Sequence, residues 1–214
     1  MSVEIRRSNT RFHERAAGRA SWHSLSFGPN YDPDNLAFGP MVCHDEHLLA
    51  DGAGFDDHHH EGVVIVSRVI TGALRHTDSR GMSTDLEPGA TGVFTPGDGM
   101  SHSEIAAAPA TRFVQTWLRL PPAQAPGYRV IDGDHWSMPA ASLAVRRLGA
   151  GEAAFLPARP KVHVFIAAGA LARFSLAEPL SASDAIRLVD EPAHEITAAV
   201  PSTVLVWSFD AAQS

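Results

Sequence analysis

The feature that most constrains this chain is its punctuation. Short runs of β-branched and aromatic residues are broken about every ten residues by Gly, Pro, Asp or Ser, the spacing of a β-sandwich or barrel. Val63-Val64-Ile65-Val66-Ser67-Arg68-Val69-Ile70 reads as a central strand, ended by Thr71-Gly72-Ala73. Leu74-Arg75-His76-Thr77 follows as a shorter strand into Asp78-Ser79-Arg80-Gly81, and Leu86-Glu87-Pro88-Gly89 repeats the turn signal. Phe113 to Leu120 alternates large and polar groups as a half-buried strand does, then stops at Pro121-Pro122. Pro121 to Tyr128 has no periodicity and reads as a linker, dividing the chain into residues 1–120, a linker 121–128 and a second half 129–214. Leu143 to Leu148, Val162 to Ala167, Leu171 to Leu176 and Thr203 to Phe209 are the strands expected in that second half. The expected fold class is all-β, in two domains.

Composition narrows the partners. With 44% hydrophobic and 19% charged residues, 214 residues suffice for a packed core. A net charge of -7 argues against binding a phosphate backbone, which needs clustered Lys and Arg, so no nucleic-acid partner is expected. Cys43 is the only cysteine, which excludes an intrachain disulfide. No apolar run approaches the roughly 20 residues of a membrane span, and the start Met-Ser-Val-Glu-Ile-Arg-Arg lacks a secretory signal. A soluble, cytoplasmic protein without membrane contact is the expectation.

Two segments carry metal-ligand chemistry. On a strand, alternate side chains share a face, so His58 and His60 point one way and His59 the other, and His102 pairs likewise with Glu104. Neighbouring strands would then make a pocket of three imidazoles and one carboxylate. Such a set leaves a divalent ion with about one net positive charge and suits Fe, Mn, Co, Ni, Zn or Cu. A coordinated enol or phenol would be acidified and made electron-rich, and Glu104 has a second role open to it as acceptor of the hydroxyl proton. Taken alone, His58-His59-His60 beside Asp56, Asp57 and Glu61 also reads as a solvated polar loop; the second motif tips the balance toward a metal. His76 reads as a structural strand-end residue, His163 as a barrel-lining one, and Trp22, Phe94, Phe113 and Trp117 as core. His135, His163 and His194-Glu195 form no matching pair, so no metal is expected in the second half.

Gly52-Ala53-Gly54-Phe55-Asp56-Asp57-His58-His59-His60 resembles the first metal motif of the cupins and, more narrowly, the pirin family's Gly-Phe-x-x-His-Pro-His. Thr95-Pro96-Gly97-Asp98-Gly99-Met100-Ser101-His102-Ser103-Glu104 resembles the second. Gly72 to Ser79, Leu86 to Gly89, Phe113 to Trp117 and the upstream stretches Arg6-Arg7, Trp22 to Gly28 and Tyr31 to Pro33 extend the likeness over about residues 5 to 120. The resemblance implies a bicupin of two antiparallel jelly-roll β-barrels, with a mononuclear metal, iron first among the candidates, held by His58, His60, His102 and Glu104 in the first barrel and a second barrel that has lost its site. It further implies either a quercetin 2,3-dioxygenase-type enzyme, taking a small aromatic substrate and dioxygen, or a non-catalytic metal-binding regulator or redox sensor that binds a protein partner. A cupin that isomerises or hydrolyses a small metabolite without oxygen is a third reading. Two departures stand out. His59 and Val64 replace the family's Pro and Glu, and Pro96-Gly97-Asp98-Gly99 replaces Ala-Gly-Arg-Gly, putting a negative charge beside the site where the family has a positive one.

Overall fold

The computed structural model describes residues 1–119, 125–131, 133–172 and 179–211. Its elements in chain order are β1 (Ser2–Arg6), a 3₁₀ turn (Ser8–Thr10), β2 (Phe12–Ala16), β3 (Arg19–His23), β4 (Met41–Leu49), β5 (Gly54–His60), β6 (Val64–Thr71), β7 (Leu74–Asp78), β8 (Ser83–Leu86), β9 (Thr91–Thr95), β10 (Met100–Ala106) and β11 (Thr111–Leu118). The chain continues with β12 (Gly127–Ile131), β13 (His135–Met138), β14 (Ala141–Leu148), β15 (Ala153–Leu156), β16 (Lys161–Ala168), β17 (Ala170–Leu171), β18 (Leu180–Ser181), β19 (Ala185–Val189), β20 (His194–Thr197) and β21 (Ser202–Phe209). No helix among the described residues is long and apolar enough to cross a membrane.

Two compact units result: Arg11–Gly133, and Met1–Thr10 with Asp134–Ser214. In the first unit a seven-stranded sheet, β12-β9-β6-β11-β4-β3-β2, and a four-stranded sheet, β5-β10-β7-β8, share a core of Leu49, Val69, Leu74, Leu86, Ala106 and Phe113. In the second, the sheet β1-β19-β16-β21-β14-β13 packs with two short two-stranded ribbons around Val164, Ile166, Ile186, Leu188, Ile196 and Val204. Each unit is thus a two-layer antiparallel jelly roll, with open sheets where closed barrels were expected.

The division of the chain differs from the expected one at both boundaries. β1 pairs with β19, Ser2 opposite Val189 through Arg6 opposite Ala185, so the first residues complete the second unit. Ile5 packs on that unit's core. Within the expected linker, Pro121 to Gln124 lie outside the described residues, but Gly127 begins β12, which pairs with β9 and extends the first unit. Tyr128, on this strand, packs among the buried residues of that unit. The expected strand Leu171 to Leu176 is described only to Ala172, and its strand ends at Leu171.

Alternation along the large sheet sets up the site. Phe113, Gln115 and Trp117 share one face of β11 and stand opposite His47, Asp45 and Cys43 of β4. On β3, Ser21 and His23 pair with His47 and Asp45. A row of polar side chains therefore runs across the inner face of an otherwise apolar sandwich.

Candidate metal centre and the cavity beside it

β5 and β10 place the histidines by direct pairing: His102 lies opposite His58, and Met100 opposite His60. Past His102 the register shifts, Glu104 falling opposite Phe55, so β5 carries one extra residue there. That bulge resets the alternation. Phe55 and His58, three residues apart, both line the same cavity, and the Asp56 carbonyl lies 2.6 Å from His58 Nδ1. Gly54 is required at the start of this strand, because a Cβ there would collide with the Glu104 carbonyl and stand 2.8 Å from Ile105 Cα.

The ligand atoms of His58, His60 and His102 all lie within 4.8 Å of one another. His58 and His60 are half-buried, His102 is buried, and His59 is exposed on the opposite face, its ring against Gly99. Phe94 stacks on His102 at 4.3 Å and Trp117 meets His60 edge-on at 4.7 Å, so two rings expected as plain core also clamp the cluster. Trp22, by contrast, is only half-buried and stacks on His13. Burial, and then the neighbouring His58 and His59, push the His60 pKa down to about 4; burial, then His58, His76 and His60, push that of His102 to about 2. The His60 and His102 imidazoles are therefore neutral. Nε2 of both His60 and His102 is buried without a hydrogen-bond partner, which is costly for an imidazole and is what a bound cation would relieve. Three imidazole nitrogens beside a carboxylate fit a divalent transition metal.

Glu104 is not within that cluster of three. Its Oε1 accepts from Ser67 Oγ at 2.9 Å and its Oε2 from Gln115 Nε2 at 2.6 Å, while Trp117 Nε1 donates to Gln115 Oε1 at 2.8 Å and fixes the amide's orientation. Burial raises the Glu104 pKa against the opposing pull of Gln115, Ser67 and His58. Two hydrogen bonds occupy about half of a carboxylate's lone-pair positions, leaving others to face the histidines. Ser67 and Gln115 escaped the sequence reading. Their signal was a lone polar residue at an inward position of a buried strand, Ser67 between Ile65 and Val69 and Gln115 between Phe113 and Trp117.

His76 is not a strand-end residue. It is buried in the middle of β7, stacked on Tyr128 at 3.7 Å, with its Nδ1 3.3 Å from His102 Nδ1 and its Nε2 3.6 Å from Asp78 Oδ2. Beside the cluster opens a cavity of about 240 Å³, at the small end for ligand sites. His58, Glu104 and Gln115 line one part of it, and Glu14, His23 and Asp45 another.

Comparison with known proteins places this architecture. The family model described as Pirin matches residues 4–118. A protein of Mycobacterium tuberculosis named "Putative quercetin 2,3-dioxygenase" is 35% identical, the match covering 98% of this chain and 96% of that protein. The quercetin 2,3-dioxygenase of Escherichia coli K12 is 29% identical over 118 residues, 54% of this chain and 51% of its own length. Among solved structures, the bacterial pirin YhhW of Escherichia coli in complex with nickel(II) superposes with a TM-score of 0.88 at 23% identity, over 98% of this chain and 99% of that one. The shared fold is that of the cupins.

Proposed function

This chain belongs to the pirin family, and from that membership we propose that it is a metal-dependent dioxygenase of the quercetin 2,3-dioxygenase type, acting on a flavonol or a related enol or phenol. His58, His60 and His102 would hold one divalent transition metal, iron first, with Ni, Mn, Co, Cu and Zn also suited to the donors, and Glu104 would complete the set. When bound, the ion supplies a Lewis acid that acidifies a hydroxyl of the substrate and a centre where an electron-rich enolate meets dioxygen. The remaining work falls to side chains. Glu104, its pKa lifted by burial, takes the hydroxyl proton, and Ser67 and Gln115 hold the carboxylate in place for it. Phe27, Phe55 and Trp117 give the cavity aromatic walls that favour a flat substrate. The observation that carries the reading is the pair of orphaned Nε2 atoms on His60 and His102 beside that cavity. A concave cavity beside the histidines also favours a small-molecule substrate over the regulator reading, for which an exposed apolar patch is the expected feature.

The test combines metal analysis with an oxygen electrode. Wild type should carry a single transition metal per chain, lost in His60→Ala, and should consume oxygen while bleaching a flavonol; Glu104→Gln should abolish turnover. A metal-loaded protein that takes up no oxygen with flavonols, enols or catechols would remove the dioxygenase reading.

A further inference from the structure

The cavity has a second polar end that the metal chemistry does not use. His23 Nδ1 and Asp45 Oδ2 are 2.7 Å apart, and both residues are buried. Nε2, the other ring nitrogen, is buried and has no hydrogen-bond partner; the Glu14 carboxylate stops 3.7 Å away, beyond bonding reach. Phe27 stacks on the imidazole at 5.2 Å and meets Trp117 edge-on at 5.4 Å, so an aromatic cover lies over this nitrogen. Burial works to lower the His23 pKa, but the hydrogen bond and charge of Asp45, and then Glu14, outweigh it and hold the pKa above its ordinary value. The nearby His47 stays neutral, pushed down to about 4 chiefly by burial, and Arg19 is turned to the Gly54 carbonyl at 3.0 Å. An imidazolium with one N–H committed to Asp45 and the other facing Glu14 only at 3.7 Å, too far for a hydrogen bond, still has a donor to offer an acceptor in the cavity.

We propose that His23, held by Asp45, is the specificity-determining donor of this cavity: its Nε2–H donates to a second oxygen, a carbonyl or phenolate, of a flat phenol or enol whose first hydroxyl faces Glu104 and the histidines. The inference rests on the proposed function for the direction in which the substrate lies. β3 is two strands from β11, which carries Gln115, a separation of roughly 10 Å across the sheet. That suits a flat fused two-ring unit with oxygens at both ends, whether a whole ligand or the core of a flavonol. A ligand lacking the second oxygen would leave the charged donor without a hydrogen bond, facing only the Glu14 carboxylate at 3.7 Å, and this penalty is the source of discrimination.

The test uses two fluorescent probes of the same two-ring size, 7-hydroxycoumarin, which bears a carbonyl remote from its hydroxyl, and 2-naphthol, which does not. Fluorescence titration at pH 6.5, with metal-free and metal-loaded protein, should show wild type preferring the coumarin roughly tenfold or more, as one charge-assisted hydrogen bond implies. His23→Leu should erase the preference and His23→Gln, which keeps an N–H, should restore part of it. In wild type the His23 Nε2–H resonance should shift with the coumarin and not with 2-naphthol, a readout independent of any variant's folding. Equal affinity of wild type for the two probes, no binding of either, or an unmoved resonance overturns the proposal. Discrimination without oxygen uptake would leave His23 assigned and topple the dioxygenase; oxygen uptake without discrimination would do the reverse.

Discussion

At the scale of the residue, the question for each clustered histidine is where its proton sits. If His58 carries its proton on Nδ1 and donates it to the Asp56 carbonyl, the lone pair of Nε2 is left for a metal. For His102 the same outcome requires that Nδ1–H donate to His76 Nδ1, which in turn puts the His76 proton on Nε2, toward Asp78. At 3.6 Å the Asp78 carboxylate is beyond hydrogen-bond reach, but its charge favours a proton on that nitrogen, so His76 is biased to accept from His102, a support that commonly raises ligand basicity. His76→Phe keeps a flat ring against Tyr128 but gives His102 no acceptor. The expected cost is roughly 10- to 100-fold in metal affinity, read by competition with a chromophoric chelator; unchanged affinity would show that His102 needs no such support. Of these details the sequence displayed only the candidate ligands. His58, His60, His102 and Glu104 could be picked out because period-two spacing is local, whereas His76, Ser67, Gln115, His23 and Asp45 reach the site through pairings between strands far apart in the chain.

At the scale of the element, the bulged β5 decides the geometry. Strict alternation would turn either Phe55 or His58 out of the cavity; the extra residue opposite the His102–Glu104 step lets both face it. The close passage of Gly54 over the Glu104 backbone keeps β5 tight against β10 at this point. Gly54→Ala must therefore push the strands apart or twist β5 out of register. We expect a loss of about 1–3 kcal/mol, the usual cost of overpacking, seen as a lower urea midpoint, together with weaker metal binding because His58 and His60 ride on the same strand. A stable variant with native metal affinity would show that the contact is soft. The individual strands were visible beforehand, as Val63 to Ile70 against the observed Val64–Thr71 shows. The pairing of β1 with β19 and of β12 with β9 was not, since nothing in a five-residue segment specifies a partner far along the chain.

At the scale of the whole molecule, the buried histidines make folding of the metal-free protein depend on pH. Four imidazoles have lowered pKa values, His47, His60 and His76 at about 4 and His102 at about 2, each chiefly through burial. As pH falls through the ordinary histidine value near 6.5, the unfolded chain takes up protons that the folded one refuses until about pH 4. The unfolded state then binds more protons, so stability is full above pH 7 and declines steadily toward pH 4. For a fully buried imidazole such as His47 the slope is up to about 1.4 kcal/mol per pH unit. His23 acts in the opposite sense: its raised pKa contributes stability that is complete below 6.5 and lost as pH rises through the folded value, and the raised pKa of buried Glu104 works the same way above its ordinary carboxylate value, but these are two groups against four. The urea midpoint of the metal-stripped protein should therefore fall markedly between pH 7 and pH 5. His47→Gln, which keeps a polar partner for Ser21 without the titrating ring, should flatten part of that fall. Saturating metal should raise the midpoint by similar amounts at pH 7 and pH 5, because the His60 and His102 imidazoles that would bind it are neutral in the folded protein at both. A midpoint that holds level or climbs on acidification would mean that these rings are charged in the folded protein, and with that the cluster would lose its fitness for a cation.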